Sequence, residues 1–425
     1  MAQHFLLSPM ARSLQDDEFN SLITRNEPLA HALFMFYRWS SFTEQICPRC
    51  GLVCSHMPRL RHKQWRCRSC GHDFSLKSGS VFDGTKLPLW TIIKGIYLFV
   101  TNAKGRSAIE MSHKLNISYR AAYLLLHKIR WAFWATPPAK PMTGEFDIDV
   151  VWVLKGLRKP NDRTLEAKAE RQTKRRERMV KRLLAQGIAE ADATKAAAKE
   201  YPLTSEPRRS NPKKQCILGI VRRNPEGGGS DFVMGIPLPT ENYELIRQAL
   251  DRYVAKGSIL YSDNAGATAA LRAHYEVRRV NHDTHYKSPE GWHTNYVESA
   301  FSRWRRMEIG TYHRMSKPRL HLYFAECAWR ETFRRRSPAQ RLADSLRRLA
   351  TVGPCKDLQK YQKPRTKLMG EPFTPAPRHI DLRPVGQTSP SDVRRLSKLL
   401  KLEAPVSQAL DAFAQLSAPA LALAA

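Results

Sequence analysis

The chain has no run of about 18 to 20 uncharged apolar residues, the length that a membrane span needs. Its best apolar stretch, 87–101, is interrupted by Lys94. Its start, MAQHFLLSPMARSLQDDEF, lacks a basic segment followed by a sustained apolar one, so no secretory leader is expected. Acidic residues are scarce. Only 39 Asp and Glu face 70 Lys and Arg, for a formal net charge of +31 over 425 residues. An excess of that size calls for a polyanion, and with membranes disfavoured, nucleic acid is the expected partner. Cysteine is sparse outside one cluster: five of the eight lie within 24 residues, which argues against a disulfide scaffold. The hydrophobic fraction of 42% is ordinary for a folded protein, and the length suggests about three domains.

Four of the clustered cysteines form two C-x-x-C pairs, Cys47-Pro-Arg-Cys50 and Cys67-Arg-Ser-Cys70, with 16 residues between them. Each pair closes a tight turn whose two sulfurs face one ion, and two such turns complete the tetrahedral shell that Zn²⁺ accepts. Gly51 and Gly71 follow the pairs, where a positive φ lets the chain turn back under the metal. Cys54 and His56 are spare donors inside the loop. A closed four-sulfur site has no open coordination position, so it folds a module and performs no chemistry. The module carries Arg49, Arg59, Arg61, Lys63, Arg66 and Arg68, which suit either phosphate contact or a solvated basic surface.

Residues 1–46 read as one or two helices, and 47–82 as the ribbon. Within 83–138, a helix from about Leu87 precedes a helix, a turn at Asn116-Ile117-Ser118 and a second helix from Tyr119 to Phe133. Ala108, Ile109, Met111 and Leu115 form the first apolar face, and Tyr123, Leu126 and Ile129 point inward from the second. The pattern fits a helix-turn-helix, with Arg120 and Lys128 as phosphate contacts, or a plain helical packing element. Pro137, Pro138 and Pro141 mark a linker. Residues 139–340 then alternate strands and helices, giving a mixed sheet with covering helices. Strands are expected at 145–154, 216–221, 232–236, 258–261 and 277–280, and helices at 241–255 and 265–274. An insertion at 155–214 opens with twelve Lys and Arg against four acids in 155–182. It reads as a basic helical arm or hairpin, either solvated or touching DNA through Arg171, Lys174, Arg175 and Arg176. Residues 341–425 form a proline-rich tail.

Asp147 and Asp149 alternate along the first core strand and share a face. Asp263 ends the strand SILYSD. After 34 further residues comes Glu298, three positions from Asn295 on one helical face, to which Arg305 returns about two turns on. Acids at neighbouring strand ends, joined by one from a helix, can hold two Mg²⁺ ions about 4 Å apart for in-line phosphoryl transfer. Glu298 is expected to be a stronger ligand than Asn295, because hard cations favour a charged oxygen. A salt bridge from Glu298 to Arg305 or a neighbouring arginine is the other reading.

The order of parts — CPRCG, WRCRSCGHDFSLKSGSVFDGTKLPLW, GEFDIDVVWV, ILYSDNAG, VNH and HTNYVESAFSRWRRMEIGTYH — resembles the zinc-ribbon DDE transposases of bacterial insertion sequences. The resemblance covers roughly residues 20–336. It implies a multidomain α+β chain: zinc ribbon, helix-turn-helix and an RNase H-like mixed α/β catalytic core. It also implies Mg²⁺-dependent cutting and joining at terminal inverted repeats. Asp149 and Asp263 match the first two catalytic acids, and the block with Asn295 and Glu298 supplies the third ligand. Arg305 matches a basic residue, usually lysine, that contacts DNA near the cut. Val150 stands where the family usually has glutamate, and the following glycine pair is missing. Structural Zn²⁺, catalytic Mg²⁺, double-stranded DNA as partner, a homo-oligomer on DNA, no membrane and a cytoplasmic location follow as expectations. A transposase-derived DNA-binding regulator that no longer cuts is the other functional reading.

Overall fold

The computed structural model describes residues 16–41, 44–154, 165–200, 214–263, 270–280, 288, 290–313 and 315–358. The start of the N-terminal segment, residues 264–269, Asn281 and His282, and the tail beyond 358 lie outside the described residues.

Helices α1 (Asp16–Ile23) and α2 (Glu27–Trp39) open the chain. The Asn26 side chain accepts from Leu29 N–H and caps α2, satisfying a donor the helix itself cannot use. Five short strands follow: β1 (Gln45–Ile46), β2 (Val53–Cys54), β3 (Met57–Arg59), β4 (Gln64–Arg66) and β5 (Asp73–Phe74). They pair antiparallel as β1–β2 and β3–β4–β5. So small a module buries little on its own. Trp65, Phe74 and Leu76 instead join the apolar cluster of the helices, with Trp65 edge-on to Trp39 at 5.8 Å. Arg38, 1% exposed, donates to the carbonyls of Leu76 and Ser78 and ties the end of the ribbon to α2.

Helix α3 (Leu89–Thr101) begins at Pro88, whose fixed φ suits a helix start. Both oxygens of Glu27 accept from its first N–H groups, at Leu89 and Trp90. Helix α4 (Ala108–Leu115) ends at Asn116 in the left-handed region (φ +50), and α5 (Tyr119–Trp134) starts from a Ser118 cap. The expected helix, turn and helix are therefore present at the expected residues. Two side chains depart from expectation. Ile109, assigned to the inner face of α4, is 60% exposed. Lys128, assigned to phosphate, is 5% exposed; its ammonium donates to Thr85 Oγ1 at 2.6 Å, and burial pushes its pKa down to about 8. Its position on α5 faces the ribbon's end, so the phosphate assignment is withdrawn.

The second half is built on a five-stranded sheet. Its strands are β6 (Glu145–Leu154), β7 (Lys214–Arg223), β8 (Ser230–Leu238), β9 (Ile259–Asp263) and β10 (Glu276–Val280). Their order is β10-β9-β6-β7-β8, with β6, β9 and β10 parallel and β7 antiparallel to both its neighbours. Between β6 and β7, α6 (Leu165–Ala185) and α7 (Glu190–Glu200) form a helical hairpin that turns at Gly187 (φ +79) and buries Ala193 and Ala197. Its base is the ladder pair Leu154–Lys214.

Alternation along β6 sends Phe146 and Ile148 to one face, against Ile246 and Leu250 of α8 (Tyr243–Tyr253). Val151 and Val153 go to the other, against α9 (Asn295–Met307) and α10 (Leu320–Thr332). Of the helix expected at 265–274, the described part is a 3₁₀ turn at Ala270–Ala273. Helix α11 (Pro338–Thr351), closed by a Ser337–Gln340 capping box, packs back on α2 and α3. The ribbon, the N-terminal helices, α10 and α11 thus share one apolar core. At its seam Glu326 of α10 is fully buried between Arg130 of α5, at 2.7 Å, and Arg330, at 2.8 Å. Burial alone would raise Glu326, yet the two guanidiniums hold it below the usual carboxylate range. No helix among the described residues is long and apolar enough to cross a membrane.

Candidate zinc centre and acidic site

The two C-x-x-C turns are near copies. Gly51 N–H donates to Cys47 O and Gly71 N–H to Cys67 O, both glycines at positive φ (+77 and +67). Backbone N–H groups of Arg49 and Ser69 point at the sulfurs of Cys47 and Cys67, at 3.4 Å each. The sulfurs of Cys47 and Cys70, and of Cys50 and Cys67, stand 3.5 Å apart. Among the described residues these four are the group of potential ligands whose donor atoms all lie within 4.8 Å of one another. Burial pushes the Cys47 thiol up to about 12. A divalent cation reverses that cost by drawing the thiols to thiolates, and four converging sulfurs fit Zn²⁺. Cys54 and His56 do not belong to this group of four. His56, 2% exposed, sits with Nδ1 3.2 Å from Cys54 Sγ and Nε2 3.2 Å from Leu52 O, and it braces one turn against the other.

The acidic site is built by strand register. Asp149 lies opposite Gly219 of β7, and the pair Ile148–Ser262 brings Asp149 alongside Asp263 at the end of β9. Gly219 matters here. A Cβ at that position would stand 2.6 Å from Phe301 Cζ and 2.8 Å from Val297 Cγ2, so the glycine lets α9 settle onto the sheet beside Asp149. Glu298 follows Val297 on that helix, and its Oε1 accepts from Thr294 Oγ1 at 2.9 Å.

Burial pushes the Asp149 carboxyl up to about 7; the Val150 N–H opposes the rise, while the charges of Asp263, Glu298 and Glu241 add to it. Asp263 and Glu298 are therefore both near enough to act on Asp149. Among the described residues no cation pairs with Asp149. The donor atoms of the three acids do not all lie within 4.8 Å of one another as the four sulfurs do, but half-buried carboxylate oxygens are of the type that a hard divalent cation takes. Asn295 and Arg305 of α9 are exposed, as are Arg120 on α5 and Lys174 and Arg175 on α6. Arg176 reaches the Ala198 carbonyl across the hairpin, and the side chain of Arg171 lies outside the described residues.

Four residues around the site carried no assignment in the sequence reading. Asp147, fully buried, accepts from Arg223 Nε at 2.7 Å and from Tyr296 N–H at 3.1 Å. Burial raises it to about 6, with Arg223 pulling it back down. Gly219 and Glu241 complete the four. Arg223 was one arginine among many, and nothing in its spacing revealed the register that sets it beside Asp147.

Part of the chain is similar to a known family. Residues 185–332 match the family model of the ISXO2-like transposase domain, a DDE family; the match begins after Asp149 and contains Asp263 and Glu298. No curated protein matches the chain, and no solved structure does. Residues 185–332 are thus similar to the ISXO2-like transposase domain, a DDE family, in keeping with the resemblance of the sequence to the zinc-ribbon transposases.

Proposed function

We propose that the protein is a transposase that binds the terminal inverted repeats of an insertion sequence and catalyses Mg²⁺-dependent strand cleavage and strand transfer. One observation carries the reading: ladder register sets Asp149 beside Asp263, and Gly219 opposite Asp149 lies against Val297 and Phe301 of the helix that carries Glu298. The strand order β10-β9-β6-β7-β8, with only β7 reversed, supports an RNase H-like core. Two Mg²⁺ ions held by Asp149, Asp263 and Glu298 would activate the attacking hydroxyl and stabilise the leaving oxygen. The chain's own work is to hold those carboxylates in register and to orient the DNA end.

Helices α4 and α5 act as the helix-turn-helix, with Arg120 exposed near the start of α5. Arg305, exposed on α9 about two turns from Glu298, contacts DNA near the cut. The basic hairpin contributes Arg171, Lys174, Arg175 and Arg176 to the DNA surface. The protein works as a homo-oligomer on DNA in the cytoplasm. Val150, where the family usually has glutamate, favours the second reading, a DNA-binding regulator without cleavage.

The experiment is cleavage of a duplex bearing the element's end, with Mg²⁺, for the wild type, Glu298→Gln and Asn295→Ala. Glu298→Gln is expected to lose about a thousandfold in rate, some 4 kcal/mol of barrier at ~1.4 kcal/mol per tenfold. Asn295→Ala is expected to lose far less, with binding unchanged in both. A wild type that binds the end and never cuts it supports the regulator.

A further inference from the structure

Helix α9 has to present Glu298 to two strands that reach the site from elsewhere in the chain, and its formal cap does not anchor it. Thr294 makes no capping bond; its hydroxyl is turned to Glu298 instead. The helix start is held from the sheet. Asp147, two residues before Asp149 on the same face of β6, accepts from the Tyr296 N–H in the first turn. A carboxylate there satisfies a donor the helix leaves open and lies at the positive end of its dipole. The other oxygen of Asp147 accepts from Arg223 Nε. Arg223 then spends a second nitrogen on the carbonyl of His293, just ahead of the helix, at 2.5 Å. Its guanidinium also lies over the Tyr261 ring, 3.5 Å from the centroid, and Tyr261 is two residues before Asp263 on β9. One guanidinium thus touches all three segments that carry the acids: β6 through Asp147, β9 through Tyr261, and the entry to α9 through His293.

We propose that Arg223 and Asp147 form a positioning clamp that sets where Glu298 stands relative to Asp149 and Asp263. The inference rests on the proposed function of those acids as a cation site. A planar guanidinium suits the task, because its fork reaches a carboxylate and a carbonyl at once while its face stacks on an aromatic ring. Lysine can pair with Asp147 but cannot serve the other two contacts.

The test uses the full chain with its zinc, as wild type, Arg223→Gln, Arg223→Lys and Asp147→Asn, with Asp149→Asn as background. Three quantities are read: the melting temperature, Mn²⁺ binding followed by the electron paramagnetic resonance of free Mn²⁺, and the Mg²⁺ concentration giving half-maximal cleavage of an end-bearing duplex. Arg223→Gln is expected to weaken Mn²⁺ binding at least fivefold and to raise the Mg²⁺ requirement by a similar factor, with duplex binding unchanged. Arg223→Lys should recover part of both. If Arg223→Gln does not fold, Arg223→Lys and Asp147→Asn carry the test, since an amide still accepts from Tyr296 N–H. Folded variants with the wild-type Mn²⁺ affinity and Mg²⁺ requirement overturn the clamp alone. A wild type that neither binds Mn²⁺ above the Asp149→Asn background nor cuts overturns the cation site, and the clamp with it.

Discussion

The thiol site and the carboxylate site are built on opposite plans. The four sulfurs come from two copies of one turn within 24 residues, and their donor atoms lie within 4.8 Å of one another. The three acids come from two strands and a helix, from Asp149 to Glu298, and are joined by ladder register and helix packing. The first plan places its cost locally, because a few backbone bonds per turn fix the donors. The second makes the site depend on the whole sheet, so a contact that bears no charge, such as Gly219 against Phe301, becomes part of it.

The largest expected effect breaks the thiol side. Stripping the metal with a strong chelator, or Cys50→Ser, leaves an incomplete shell, and metal binding in such a module is folding free energy. Because Trp65, Phe74 and Leu76 lie in the core of the N-terminal helices, the loss should spread beyond the ribbon. Calorimetry should show at least ~3 kcal/mol of lost stability. An unchanged melting curve after complete removal of zinc would mean that the module stands without it.

A middle-sized effect sharpens the carboxylate side. Gly219→Ala forces a methyl group into the Phe301 ring and should cost about 1–3 kcal/mol in urea unfolding. Gly310→Ala, where a Cβ meets nothing within 4 Å, is the control and should stay within about 0.5 kcal/mol. Equal stability for both variants would remove the close approach of α9 from the account.

The two sites also differed in how far they could be read in advance. The ribbon was legible because its information is spacing: C-x-x-C, glycine, and a return. Strands 145–154 and 277–280 and the turn at Asn116-Ile117-Ser118 were legible for the same reason, being matters of alternation or local hydrogen bonding. The adjacency of Asp149 and Asp263 was legible as two acids at the ends of core strands, and the register sets them side by side. Arg223 was not legible, since its partners Asp147 and His293 lie about 70 residues away on either side and only register selects them. Lys128 was misread because a cation on an amphipathic helix looks like a surface group. A buried lysine gives no local sign of the hydroxyl that awaits it, here Thr85.

The smallest expected effect concerns the basic hairpin, which neither plan needs. Replacing the exposed Lys174 and Arg175 by glutamine should lower the slope of log K against log salt for duplex binding by about 1 to 2, at ~0.9 per phosphate contact. Melting temperature should not change. An unaltered slope would make the hairpin a solvated appendage.

That hairpin leaves and rejoins the sheet at a paired position, Leu154 opposite Lys214. Four further ladder pairs, from Val153–Gln215 to Val150–Leu218, lie between that doorway and Asp149 opposite Gly219. Whatever enters at the doorway, those rungs have already fixed the alignment of the acid. The fold therefore has a port at which the length and charge of the inserted hairpin can change without moving the rung that sets Asp149, so the reach of the surface and the placement of the acid are separable properties of one strand pair.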